Sequence, residues 1–371
     1  MQTTISKLVL NNFRNFSSKK FEFNSEQILF CGANGVGKTN TLEALSLLGR
    51  SPSLRGDEFD KMLKCDSLNF SVYGELMNHN FLEKIAVKFD KSLKKKSYEF
   101  NGESCVSKRQ SELKNYLINF IILTPQIEQL FILGKSQRRE YLDKIVCDID
   151  FTHQNRINDY QKLLKERLLI LQKYRNQQQG EKWLDIVENK IAEIGISIAF
   201  ARKEAIDFFN KAIASFSSNF PKTYLQVNGE VENFVEKKSS LFLEDFYREK
   251  LKLNRQNDLA NFKTEFGIHR ADFDAIFCDK NISATKSSTG EQKAIMISIS
   301  LARSKISANY KNQSTILIFD EVVSHLDDQR KNHLFDEINQ AKLQSFFSAT
   351  SSDLIPLNKI SNFQIFELKN S

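Results

Sequence analysis

Residues Gly32-Ala33-Asn34-Gly35-Val36-Gly37-Lys38-Thr39 spell G-x-x-x-x-G-K-[ST], and no other stretch constrains the fold of this chain as much. The pattern carries weight only between a strand and a helix. Both are expected: the apolar run Ile28-Leu29-Phe30-Cys31 precedes it, and the helix-compatible run from Thr41 to Leu48 follows. Glycines let the backbone curl so that several N–H groups point at a polyphosphate, and the positive end of the next helix adds to the attraction. Lys38 then reaches the terminal phosphates as a point charge, and the Thr39 hydroxyl suits Mg²⁺.

A phosphate loop needs carboxylates beside it, and these lie near the other end of the chain. Thr315-Ile316-Leu317-Ile318-Phe319-Asp320-Glu321 is an apolar strand ending in two acids. A buried parallel strand delivers such groups at its C-terminal edge, where α/β sheets bind ligands. Asp320 is the expected Mg²⁺-side carboxylate, and Glu321 the acid that orients and polarises an attacking water, with Lys38 as its catalytic partner. Ser287-Ser288-Thr289-Gly290-Glu291-Gln292-Lys293 opens a helix through Ala294, Ile297 and Leu301, and a Ser and Gly at a helix start form a second anion site. Ser324-His325-Leu326-Asp327 follows the acid-ended strand directly.

Between the two ends the pattern changes. The first hundred or so residues read as β-rich, with strands expected at Ile5–Leu10, Ile28–Cys31, Leu68–Tyr73, Phe81–Phe89 and Ser97–Phe100, and a turn at Asn101-Gly102. The charged run Lys91–Lys96 reads as a solvated hairpin tip or as a contact to DNA phosphate. From Gln137 to Phe220 the spacing becomes helical: Ile157, Tyr160, Leu164, Leu168, Leu171 and Tyr174 form one stripe, and Leu184, Val187, Ile191, Ile194 and Ile198 another. These predict a short helical hairpin, with Trp183 in its core. With 371 residues, two or three domains are expected at about 150 residues each. Four prolines and thirteen glycines permit long helices.

Composition excludes several classes. No uncharged apolar run approaches the ~18 residues of a membrane span, and the N-terminal residues are too polar for a signal peptide. Five scattered cysteines give neither a zinc ribbon nor a disulfide framework, so a reducing, cytoplasmic location is expected. The net charge of +7 hints at a polyanionic partner.

Taken together, the four blocks resemble the Walker A loop, Walker B strand, signature and D-loop of ABC-type ATPases. In that class two heads sandwich two ATP molecules. The resemblance therefore implies ATP and Mg²⁺ as cofactors, an ATP-dependent homodimer, Ser288, Gly290 and Glu291 as contacts to the opposite subunit, and Asp327 in the D-loop. It extends to the RecF family of SMC-like ATPases. Asn12-Phe13-Arg14-Asn15-Phe16 looks like that family's F-R-N motif, and Gly134-Lys135-Ser136-Gln137-Arg138-Arg139-Glu140-Tyr141-Leu142-Asp143 resembles its G-x-x-x-R-R-x-F-L-D stretch. Gly267-Ile268-His269-Arg270-Ala271-Asp272 resembles G-P-H-R-x-D, with Ile268 in place of the proline. No His stands in the switch region, where Ser348-Ala349-Thr350 is found; Thr350 is the switch candidate there and Gln126 the lid candidate.

The fold class so implied is α/β, an ABC-type ATPase head of P-loop NTPase fold with a helical lobe inserted between the halves of the ATPase lobe. Lobe I would comprise residues 1–120 and 265–371, and a mainly helical lobe II residues 121–264. By resemblance, Arg14 and Asn15 lie near the nucleotide, and Arg138 and Arg139 face DNA, the opposite subunit or solvent. The implied activity is that of a DNA-binding ATPase of recombinational repair and replication, weak, regulatory and DNA-stimulated. It would dimerise on ATP to clamp duplex DNA near single-strand gaps and promote RecA loading with the partners RecO and RecR, without a membrane partner. The residues that touch DNA are not identified. The competing reading is an ABC-type cassette with a protein or membrane partner.

Overall fold

The computed structural model describes residues 3–49, 54–78, 81–105, 119–174, 178–216, 221–311, 315–354 and 363–369. The chain forms two compact units, residues 1–128, 216–220 and 296–371, and residues 129–215 and 221–295. The breaks expected at 120 and 265 differ from these. The second falls inside a helix, because residues 272–277 pair with a strand of the second unit.

The first unit holds two sheets. One runs in the order β2-β1-β4-β5-β6-β7 and is antiparallel: β1 (Thr4–Phe13), β2 (Phe16–Glu22), β4 (Asn69–Asn78), β5 (Phe81–Asp90), β6 (Lys95–Phe100) and β7 (Glu103–Ser104). Ile5 and Leu8 are three residues apart, which strict alternation would place on opposite faces. A register irregularity between Ile5 and Lys7 returns both to the core, where each is fully buried. The other sheet is parallel, in the order β14-β3-β13-β12-β8: β3 (Gln27–Cys31), β8 (Asn119–Leu123), β12 (Thr315–Asp320), β13 (Ser345–Ala349) and β14 (Phe363–Glu367). Strands β3, β12 and β13 are buried at every position, as expected of a parallel sheet covered on both faces. Phe21, Phe23, Phe30, Phe346 and Phe366 meet edge-on and stacked between the layers.

Helix α1 (Lys38–Leu47) follows β3; α2 (Pro125–Glu128) ends the first stretch of this unit. The second unit carries α3 (Lys135–Val146), α4 (His153–Lys173), α5 (Gln178–Ala214), α6 (Ser240–Leu253) and α7 (Arg255–Asn261). It also has a three-stranded sheet of β9 (Thr223–Asn228), β10 (Asp272–Phe277) and β11 (Ile282–Ser283). Helix α8 (Thr289–Lys311) passes from one unit to the other, and α9 (Asp328–Ala341) lies in the first. The predicted hairpin is α4 with α5. Ile157, Tyr160 and Leu171 pack in one cluster with Leu184, Val187, Ile191 and Ile198, and α5 runs well past the predicted Ile198. Trp183, expected in that core, is instead 43% exposed; it lies against the Tyr174 ring near the end of α4 and donates to Glu166. Among the described residues no helix is long and apolar enough to cross a membrane.

Candidate functional site

Parallel pairing aligns the ends of three strands. Cys31 of β3 pairs with Ala349 of β13, and Ser348 pairs with Asp320 of β12. The glycine loop, the two acids and the Ser348–Thr350 segment therefore leave the sheet at one edge. Two loop glycines are sterically required. A Cβ on Gly32 would lie 2.4 Å from the Leu368 carbonyl oxygen, and one on Gly37 2.6 Å from the Phe16 ring, at φ values of 144° and 105°. Ala33, Asn34 and Gly35 are exposed on the rim, whereas Val36 is buried. Lys38 is 4% exposed, and its Nζ donates to the carbonyls of Gly32 (2.8 Å) and Ala33 (2.9 Å).

The first residue after β12 adopts a conformation that a Cβ disfavours: Glu321 sits at φ 57°, ψ 0°. Asp320, just before it, is 6% exposed, and its Oδ1 accepts from Thr39 Oγ1 at 3.0 Å and from Ser348 Oγ at 2.7 Å. Burial pushes the Asp320 carboxyl above the usual carboxylate range; the two hydroxyl bonds oppose this, and Glu321 adds to it. The charge of Arg55 also reaches Asp320 and favours its ionised form. In the Ser348-Ala349-Thr350 segment the sequence points to Thr350 rather than Ser348, and it gives no sign of Arg55. A serine in an apolar strand has no spacing that marks it, and Arg55 stands in no motif.

Arg14 and Asn15 form the tight connection between β1 and β2. Asn15 Nδ2 donates to the Val36 carbonyl at 3.2 Å, and its Oδ1 accepts from Asn40 Nδ2 at 2.8 Å. It thus braces the loop against α1. Arg14, expected near the nucleotide, commits its guanidinium to Glu43 (2.7 and 2.8 Å), to Asp57 (2.6 Å) and to the Lys61 carbonyl (2.6 Å). Glu43 is fully buried on α1, so this bidentate pair fastens the helix that follows the loop.

The second anion motif opens α8. Ser288 N donates to Glu291 Oε2 at 2.8 Å and Glu291 N to Ser288 Oγ at 3.4 Å, a reciprocal capping box. Lys280 pairs with Glu291 at 2.6 Å and, with the Ser288 bonds, holds its carboxyl down at about 2. Glu291, expected as a contact to a second subunit, is engaged within its own chain, whereas Ser288 is exposed and Gly290 half-buried beside it. Asp327 caps α9, accepting from Arg330 N at 2.8 Å. Thr350 and Gln126 are both exposed, Thr350 one residue past β13 and Gln126 in α2.

Two of the quoted motifs meet inside the second unit. Arg138 forms a bidentate pair with Asp272 (2.8 and 2.9 Å), and Arg139 donates to the Ala271 carbonyl at 2.8 Å. Arg138 is 8% exposed, so the two arginines mainly bind the 267–272 segment rather than forming a solvated face. Buried Arg202 on α5 ties Asp143 (2.9 and 3.0 Å) to Glu232 (3.1 Å) and the Ile268 carbonyl (2.8 Å). Beside it runs a directed chain of hydrogen bonds. Ile268 N donates to Tyr247 OH at 3.1 Å, the Tyr247 and Tyr160 hydroxyls are 2.5 Å apart, and Tyr160 OH lies 2.9 Å from His269 Nδ1. His269 Nε2 closes the chain on the Thr264 carbonyl at 2.8 Å. Burial pushes the His269 pKa down to about 4, so the ring is neutral, with Nε2 as its donor.

A glycine loop after a buried parallel strand, an acid-ended strand at the same edge and a capped S-x-G-E helix define a P-loop ATPase head of the ABC and SMC type. A family model described as RecF/RecN/SMC N terminal domain matches residues 4–365. The DNA replication and repair protein RecF of Rickettsia canadensis (strain McKiel) is 32% identical over 98% of this chain and 99% of its own. That of Rhizobium rhizogenes (strain K84 / ATCC BAA-868) is 31% identical, covering 93% and 92%. A solved structure of the recombination mediator protein RecF with ATP, in the RecFOR pathway, superposes with TM-score 0.79 at 26% identity over 95% of this chain and 93% of that one. The Smc head domain of Pyrococcus furiosus shares the fold, with TM-score 0.57 at 16% identity, covering 99% of this chain and 94% of that one. The chain belongs to the RecF family.

Proposed function

We propose that this protein binds ATP and hydrolyses it slowly, and that ATP joins two copies into a clamp on duplex DNA near single-strand gaps. The observation that carries the reading is the convergence of Lys38, Thr39, Asp320 and Glu321 at one sheet edge, built by a loop in which neither Gly32 nor Gly37 has room for a Cβ. Residues Gly32 to Thr39 would wrap the polyphosphate, and Lys38 would exchange its two loop carbonyls for phosphate oxygens. The Thr39 hydroxyl and the Asp320 carboxylate, 3.0 Å apart, are hard oxygen donors that fit Mg²⁺. Mg²⁺, when bound, would neutralise charge on the β- and γ-phosphates. Glu321 would orient a water and take its proton as the water oxygen bonds to the γ-phosphorus; the bond to the bridging oxygen breaks and ADP leaves. Asn15 and Arg14 act from behind, by bracing the loop and α1.

Ser288, exposed at the start of α8, and Gly290 would serve a nucleotide held by a second copy, with Glu291 shaping that helix start rather than touching the partner. Asp327 would act in the same interface, and Thr350 and Gln126 are the remaining contacts for the γ-phosphate side. Relatives named for DNA replication and repair, and a neighbour named for the RecFOR pathway, support a role in recombinational repair. In that role this protein would act with RecO and RecR to promote RecA loading. Lys/Arg contacts to phosphate would make DNA binding steeply salt-dependent and largely indifferent to sequence.

The test is duplex-DNA binding by Glu321→Gln, which keeps ATP bound and blocks hydrolysis, in ATP·Mg²⁺ and in ADP·Mg²⁺. Tight binding only with ATP, lost in Lys38→Ala, is the expected result. Equal binding in both nucleotides, or none, would favour a cassette whose partner is a protein.

A further inference from the structure

Two consecutive acids end β12, and each must be held in its own way. Asp320 is nearly buried and must present its carboxylate toward Thr39. Glu321 must hold a left-handed backbone that its Cβ disfavours, a state that persists only where the surroundings over-determine it. A single side chain meets both demands. Ser348, 1% exposed, sits opposite Asp320 on β13, an interior strand flanked by β12 and β3. Its Oγ accepts the Glu321 N–H at 2.8 Å and donates to Asp320 Oδ1 at 2.7 Å. Thr350, two residues on, is exposed and outside the strand.

We infer that Ser348 is a positioning residue of the hydrolytic site, a hydroxyl that fixes the carboxylate of Asp320 and the backbone of Glu321 together. The inference rests on the ATPase reading above. An alanine at 348 leaves a buried N–H and a carboxylate oxygen each short of a partner. The Glu321 peptide is then free to relax toward right-handed backbone, which swings the side chain away from the reacting water. A threonine keeps the hydroxyl and suits a strand.

The experiment measures ATP hydrolysis by the full chain across a Mg²⁺ titration in Ser348→Ala, Ser348→Thr, Lys38→Ala and Glu321→Gln. Ser348→Ala is expected to lower kcat at least tenfold with KM for ATP within threefold, and to raise the Mg²⁺ half-saturation point several-fold. Ser348→Thr should recover most of the loss. Added to Glu321→Gln, Ser348→Ala should change the residual rate less than twofold, since the route through Glu321 is already cut. If Ser348→Ala unfolds, Ser348→Cys repeats the measurement with a weaker donor of similar size and the same expected loss. Loss of hydrolysis in Lys38→Ala with kcat within twofold of the parent in Ser348→Ala overturns this inference alone. So does a loss that threonine does not recover and that tracks a lower melting temperature. Parental rates in Lys38→Ala would sink the ATPase reading, and this inference with it.

Discussion

Gly267 occupies a crowded point of the second unit, and replacing it with alanine tests the packing there. A Cβ would fall 2.2 Å from the Tyr247 hydroxyl, 2.5 Å from that of Tyr160 and 3.1 Å from His269 Nδ1, at φ 136°. The backbone conformation alone costs about 1–3 kcal/mol for a residue with a Cβ. Forcing the two buried hydroxyls apart adds about 1–3 kcal/mol of overpacking. Together, about 4 kcal/mol of a total stability near 5–15 kcal/mol should be lost. Urea unfolding followed by Trp183 fluorescence is the assay, because the single tryptophan lies on α5 of the same unit. The contribution of each cause separates in a Tyr247→Phe background, which removes the nearest atom. There, Gly267→Ala should cost about 1 kcal/mol less, within the usual range for coupled neighbours. A loss under about 1 kcal/mol in the parent, or the same loss in both backgrounds, would refute the crowding argument.

Other consequences follow from the same unit. His269 is neutral when folded, with a pKa near 4 against 6.5 for a free ring, so protonation below the free value favours the unfolded chain. Stability should be flat above pH 6.5 in this respect and fall by up to about 3 kcal/mol between there and pH 4. His269→Asn should flatten that slope in acid titrations followed by circular dichroism; an unchanged slope would assign the titration elsewhere. Arg202 is 1% exposed between Asp143 and Glu232, and Arg202→Met leaves a buried acid, Glu232, and a half-buried one, Asp143, without their shared cation. A cost of about 3–5 kcal/mol is expected by thermal or urea unfolding. Replacing Asp143, Arg202 and Glu232 together with apolar residues should cost less than Arg202→Met alone; a greater cost would contradict the desolvation argument.

The sequence was most legible where one short segment performs one task. The P-loop, the acid-ended strand and the S-x-G-E helix start each announce themselves through local spacing, and their surroundings in the fold match. Strand β2 escaped notice because Ser17, Ser18, Lys19 and Lys20 face solvent and only Phe16 and Phe21 are buried along it. Arg14 and Arg138 were recognised as motif residues, but their partners were not. Glu43 and Asp272 are distant in sequence, and no periodicity links a turn to a helix or α3 to β10. Ser348 depends on strand register, which sets it opposite Asp320 and has no sequence signature. The Tyr247–Tyr160–His269 chain joins residues from α4, α6 and a short turn, and only the folded core brings them together.

The proposed function requires that ATP make two copies of this chain complete one another's sites. Light scattering on Glu321→Gln tests it most directly. With ATP·Mg²⁺ the mass should be twice the 42.9 kDa of one chain. With ADP·Mg²⁺, or with Ser288→Arg added to block the exposed helix start, it should return to the single-chain value. A single-chain mass under every condition, or a dimer indifferent to nucleotide and to Ser288, would contradict the account.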